Sequence, residues 1–280
     1  MNNPILRGSE TVAYRDPACI YAGGVYRLFF TLSVKKDGYM YNSLALSESK
    51  DLEHWSEPRQ ITRDSLSENY CSPGNILCHN GEYLICVSSY PMPLPFAQRP
   101  YADETARLYF IRTADFVHFS SPELIRAKGD VPMEDMGRMI DPYVFRDRDD
   151  PALFHLFFKQ NGVSHAHSRD LQNWVYDGHI DGGENACVVL KDGIYHLFHS
   201  PANGIGHKIS RDLITWEDCG IMTLEQDRWD WAQGRLTAGF VMEHPQETGK
   251  YLLFFHGSRR DVFPETHGEA VLGLVVLESL

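Results

Sequence analysis

Basic residues are scarce in this chain: 26 lysines and arginines face 38 aspartates and glutamates, a formal charge of −12 at pH 7. Nucleic acids and anionic membranes are held by clustered cations, so neither is an expected partner. The same balance suits a neutral partner such as a carbohydrate. The six cysteines form no Cys-x-x-Cys pair, which removes the usual zinc and dithiol chemistry and leaves them as small buried hydrophobes. The thirteen histidines show no spacing that builds a metal cage. No apolar run approaches the ~18 residues of a membrane span, and no basic-then-apolar leader opens the chain. The expected location is cytoplasmic, or secreted or periplasmic if a leader has been removed.

What the chain has in quantity is short runs of aromatic and β-branched residues separated by turn residues. One stretch, 139–174, sets the pattern. Asp141-Pro142 leads an apolar run, a second run follows at 153–158, and Ser168-Arg169-Asp170-Leu171-Gln172-Asn173-Trp174 closes the unit. Gly-containing turns between such runs predict antiparallel hairpins. The closing segment, Ser/Thr-x-Asp-Leu/Phe-x-x-Trp/Phe, recurs with its last residue at 55, 119, 174 and 216. A fifth unit, without a closer, follows at 236–276. Periods of this size with about four strands each predict a β-propeller. Residues 1–280 therefore read as one all-β domain, a single five-bladed β-propeller. In the closers, Asp is expected to cap the turn and the aromatic to fill the gap between blades. A proline-rich segment at 91–101, containing Phe96, cannot be a regular strand and is a candidate rim of a binding site.

Innermost propeller strands converge on a central channel. Three of the five begin at a carboxylate: Asp16, Asp141 and Glu184. Blade two offers Cys71-Ser72-Pro73 and blade five Arg235-Leu236-Thr237. Carboxylates brought around one axis from separate blades are the equipment of glycosidic hydrolysis, in which one carboxylate activates water and a carboxylic acid protonates the leaving oxygen.

Arg15-Asp16-Pro17, Ile140-Asp141-Pro142 and Glu184 after Gly182-Gly183 resemble the three acidic motifs of the five-bladed glycosidases of glycoside hydrolase family 43 (arabinanases, arabinofuranosidases and β-xylosidases). Similarity to the family 32 invertases is more distant. The resemblance implies an inverting glycosidase acting on an oligosaccharide or polysaccharide, an α-L-arabinofuranoside or a β-D-xyloside. By position it makes Asp16 the general base, Glu184 the general acid and Asp141 the residue that orients and tunes that acid. Arg15, Ser72, Arg235, Trp231 and Phe96 are candidate substrate contacts. His256 resembles a channel histidine that sits near a bound calcium in many family members, which implies a structural Ca²⁺ in the channel; hydrolysis itself requires no cofactor. Two departures bear on substrate: Asn185-Ala186 follow Glu184, and Cys71-Ser72-Pro73 lacks the tryptophan of the family's Trp-Ala-Pro. The competing readings are a retaining, fructofuranosidase-like hydrolase and a non-catalytic carbohydrate-binding propeller.

Overall fold

The computed structural model describes residues 3–91, 95, 105–259 and 269–280. Five antiparallel sheets follow one another along the chain as the blades of a five-bladed β-propeller. Blade one is β1 (Val12–Ala22), β2 (Val25–Lys36), β3 (Tyr39–Ser49) and β4 (Arg59–Gln60). Blade two is β5 (Tyr70–Cys71), β6 (Ile76–His79), β7 (Glu82–Ser89), β8 (Arg107–Thr113) and β9 (Glu123–Leu124); β5 and β6 are two halves of one inner strand, both paired with β7. Blade three is β10 (Ile140–Arg146), β11 (Phe154–Lys159), β12 (Val163–Ser168) and β13 (Trp174–Ile180). Blade four is β14 (Glu184–Lys191), β15 (Ile194–Ser200), β16 (Ile205–Ser210) and β17 (Glu217–Met222). Blade five is β18 (Arg235–Glu243), β19 (Tyr251–Ser258) and β20 (Val271–Leu277). Among the described residues no helix is long and apolar enough to cross a membrane.

Successive side chains of a strand point to opposite faces, yet adjacent pairs such as Phe29-Phe30 and Phe157-Phe158 are all buried. A blade has a neighbour on each face, so both faces must be apolar. That is why the sequence shows continuous runs in place of alternation. Each phenylalanine so buried contributes roughly 1.5–3 kcal/mol.

The closers are scaffold, as expected. Ser49 Oγ accepts the amides of Asp51 and Leu52 at 3.2 and 2.9 Å, and Asp51 Oδ1 accepts those of Glu53 and His54 at 2.9 and 2.8 Å. Ser168 with Asp170 and Ser210 with Asp212 repeat the arrangement. The residue after each aspartate (Leu52, Phe116, Leu171, Leu213) takes a positive φ of 66°, 59°, 63° and 63°. That conformation is costly for a bulky residue, and these hydrogen bonds offset it. Trp55 meets Phe254 of blade five edge-on at 6.3 Å, and Trp216 meets Phe157 of blade three at 6.0 Å. Four cysteines are buried, as anticipated; Cys78 and Cys219 are exposed.

Blade five has no closer because its fourth edge comes from the other end of the chain. Ile5 N–H donates to Leu272 O at 2.8 Å and Leu272 N–H to Leu6 O at 3.0 Å. Asn3 brackets Leu274 with two side-chain hydrogen bonds. The ring is thus closed by an early segment paired with the last strand.

Candidate active site

Each inner strand breaks its register once, between Arg15 and Ala18, Ile140 and Tyr143, Glu184 and Cys187, and Thr237 and Phe240. In blade two the break separates β5 from β6. At each break one residue has positive φ: Asp16 (52°), Ser72 (46°), Asp141 (57°), Asn185 (52°) and Ala238 (53°). Bulges re-aim a side chain out of the ladder. These five are held by a belt of hydrogen bonds between blades. The bulge amide donates to a side chain on the second strand of the preceding blade: Ser72 to Thr31 Oγ1 (2.8 Å), Asp141 to Ser88 Oγ (2.9 Å), Ala238 to Ser200 Oγ (2.8 Å) and Asp16 to His256 Nδ1 (3.1 Å). At the fifth junction Lys159 occupies the acceptor's place, opposite Ile140, and cannot accept. There the Asn185 amide donates to Asp141 Oδ2 at 3.2 Å.

This belt corrects the alignment of the three carboxylates. Asp16 and Asp141 are bulge residues, but the residue in register with them on blade four is Asn185. Glu184 lies one position earlier, in the place of Arg15 on blade one. It therefore projects differently and is only half-buried, whereas Asp16 and Asp141 are 7% and 4% exposed. The glycine ahead of it is required by contact: a Cβ on Gly183 would fall 1.6 Å from Ser200 O.

The three carboxylates nonetheless meet. Together with Arg15, Ser72 and Arg138 they line one cavity of about 170 Å³. Burial opposes the charge of Asp16, but the Arg15 guanidinium and the Thr31 and Ser72 hydroxyls on Oδ2 (2.8 and 3.3 Å) prevail and hold its carboxyl below the ordinary range. Asp141 goes the other way. Burial, then the negative charges of Glu184 and Asp16, push it well above its ordinary value, against the pull of Arg138 and the Asn185 amide. A cluster of this kind keeps a proton where isolated carboxyls have lost theirs. One carboxylate stays ionised beside a group that holds a proton, which is the division of labour acid–base chemistry requires. A larger hollow of about 720 Å³ lies between blades three and four. Its histidines are engaged with one another and with Asp147 and Asp177.

The remaining expected contacts divide. Arg235 feels the charges of Glu184 and Asp16 and donates from Nε to Ala202 O at 3.2 Å. Trp231 is corrected: it is 3% exposed, with Trp229 stacked at 5.3 Å and Phe255 at 5.7 Å. Its ring faces are spent on the core, so it has none for a sugar. Phe96 and most of the proline-rich segment lie outside the described residues. His256 spends Nδ1 on the Asp16 amide, and burial drives its pKa down to about 3, so the ring is neutral and carries its own proton on Nε2. Ca²⁺ takes six to eight oxygen ligands, and the described residues contain no cluster of three or more ligating side chains that could hold a metal.

Sequence reasoning passed over Arg138, Tyr90 and Asn42, which also line the cavity. Arg138 donates to Tyr90 Oη at 2.9 Å, and its charge bears on both Asp141 and Glu184. A lone arginine three residues before Asp141 carries no motif that would have marked it.

No protein-family model matches the sequence, and no curated protein is similar to it in sequence. Solved structures share its fold. An α-L-arabinofuranosidase from Podospora anserina, in complex with cellotriose, superposes with a TM-score of 0.68 at 13% identity, over 98% of this chain and 94% of its own. A GH43_1 enzyme from Xanthomonas citri, complexed with xylose, gives 0.66 at 12% over 98% and 90%. A family 117 glycoside hydrolase from Zobellia galactanivorans gives 0.69 at 13% over 98% and 87%. The fold is thus the one these five-bladed propeller glycosidases share, along essentially the whole chain.

Proposed function

We propose that this protein is a glycoside hydrolase that works by acid–base catalysis in the cavity of Asp16, Asp141 and Glu184. The observation that carries the proposal is the opposite perturbation of two neighbouring buried carboxyls: Asp16 held ionised by Arg15 and two hydroxyls, Asp141 pushed toward its protonated form. In this reading Asp16 takes a proton from the attacking water. Glu184, half-buried and open to the cavity, gives a proton to the departing oxygen. Asp141, fixed by its bulge and by the Asn185 amide, holds a proton beside Glu184 in the same cavity. Arg15 and Arg138 position Asp16 and the other two carboxyls. The general resemblance of the motifs to family 43 favours inversion and an α-L-arabinofuranoside or β-D-xyloside as substrate. The arabinofuranosidase and the xylose-bound enzyme among the structural neighbours support that choice.

The test is a screen of aryl glycosides and oligosaccharides with wild type and Glu184→Gln, the first-formed anomer being read by proton NMR. Inversion, with a loss of about 10²–10⁴-fold in the variant, is the expected result. A retained anomer would replace the mechanism with nucleophilic attack by Asp16. Unimpaired hydrolysis by Glu184→Gln would remove Glu184 as the acid.

A further inference from the structure

The belt that fixes the five bulges has one exception, and the exception faces a second cavity. At the four regular junctions a threonine, two serines and a histidine accept the next bulge's amide. Lys159 stands in the fifth place and performs no such task, because Asp141 Oδ2 has taken the Asn185 amide. Its ammonium reaches only a backbone carbonyl, Gly182 O, at 3.4 Å. It lines an open cavity of about 420 Å³ together with Lys128, Gln160 and Arg138. Lys128 likewise donates only to a carbonyl, Met136 O, at 3.2 Å. Among the described residues the lysine–carboxylate ion pairs are made by Lys208 and Lys250, not by Lys128 or Lys159. The one acid on the cavity wall, Asp135, is exposed. Arg138 lines this cavity and the carboxylate cavity alike, so the two adjoin.

Two ammonium groups without carboxylate partners stand with the Arg138 guanidinium on the wall of one cavity. A neutral sugar is recognised by hydrogen bonds and needs no such pair. An anionic group profits from both, since charge-assisted hydrogen bonds are about twice as strong as neutral ones. We propose that the Lys128–Lys159–Arg138 cavity binds an acidic sugar of the substrate, through a uronic-acid carboxylate or a sulfate ester, next to the glycosidic bond to be cleaved. This rests on the glycosidase reading only for the word substrate; the binding itself does not require turnover. The neutral partner expected from bulk charge is replaced by one that is acidic at this point.

Calorimetric binding at low salt tests it with three probes: a glucuronate-bearing xylo-oligosaccharide, its carboxyl-reduced counterpart and a sulfate-ester xylo-oligosaccharide. The wild type should bind an acidic probe about tenfold or more tighter than the reduced one, and the preference should shrink on adding salt. Lys159→Met and Lys128→Met should each reduce it several-fold, while Lys159→Arg should keep it. Tighter binding of the carboxylate or of the sulfate probe identifies which acid the cavity prefers. Equal affinity for all three probes, or a preference that survives in both methionine variants, overturns the proposal. Preferential binding by a protein that hydrolyses no glycoside would instead remove the catalytic reading and leave this one standing.

Discussion

Replacing Asp141 by asparagine should stabilise the protein while disabling it, and the stabilisation should depend on pH in a defined sense. Asp141 is 4% exposed and lies between the charges of Glu184 and Asp16. Its folded-state pKa is raised, so between its unfolded value near 3.8 and its folded value the native state binds more protons than the unfolded one. Stability from this group is therefore complete below about pH 4 and is lost as pH rises. An amide of the same shape carries no such penalty, and its oxygen can still accept the Asn185 amide. One pKa unit corresponds to about 1.4 kcal/mol, so the upper limit of the gain at pH 7 is about 4 kcal/mol. Arg138 and the Asn185 amide pull toward the charged form, so the gain falls short of that limit. Urea unfolding of wild type and Asp141→Asn at pH 4 and pH 7.5 measures the difference, with glycoside hydrolysis assayed alongside. The variant should gain stability only at the higher pH and lose about 100-fold or more in kcat. A variant destabilised equally at both pH values would refute the reasoning, because it would mean that the aspartate is held as a favourable charge.

Gly183→Ala should cost both activity and stability, because its Cβ would meet the backbone oxygen of Ser200 at 1.6 Å and the strand carrying Glu184 must shift; a fall in kcat together with a lowered melting temperature is the expected outcome, and a variant unchanged in both would deny the contact. His256 and His199 are 5% and 8% exposed and are held neutral by burial, with pKa values lowered to about 3 and about 4. Their contribution is present above pH 6.5 and is lost as pH falls, at about 1.4 kcal/mol per pH unit for each. His256→Gln and His199→Gln should flatten the acid limb of a stability-versus-pH curve. Deleting residues 1–8 removes the edge that pairs with Leu272 and Leu274; the melting temperature should fall by several degrees, and an unchanged value would deny that this edge closes the ring.

The architecture was legible because a propeller repeats itself. Ser/Thr-x-Asp-Leu/Phe-x-x-Trp/Phe recurs at the same place in four blades, and its hydrogen bonds are local, so sequence proximity and spatial proximity coincide. The fourth edge of blade five was not legible. Ile5 and Leu272 are neighbours only after the ring has closed, and no local pattern announces a contact of that span. The carboxylates could be named from their places at strand entrances, but not their register. Whether Glu184 or Asn185 matches Asp16 depends on where the bulge falls, and a bulge slips the count by one without changing the composition. Trp231 was misjudged because an indole beside an entrance suits a sugar and a core equally well until Phe255 and Trp229 are seen against it. Lys159 is informative only as the odd member of a five-fold set that includes Thr31 and Ser88, and that set exists in three dimensions alone.

The central claim is that Asp16, ionised among Arg15, Thr31 and Ser72, is the base of a glycosidase. The most direct measurement is the hydrolysis of aryl α-L-arabinofuranoside and β-D-xyloside by wild type and Asp16→Asn, with kcat and KM separated. A wild type that turns over one of them, and a variant whose kcat falls about 10³-fold while KM stays within a few-fold, is the predicted result. A variant with undiminished kcat would contradict the account.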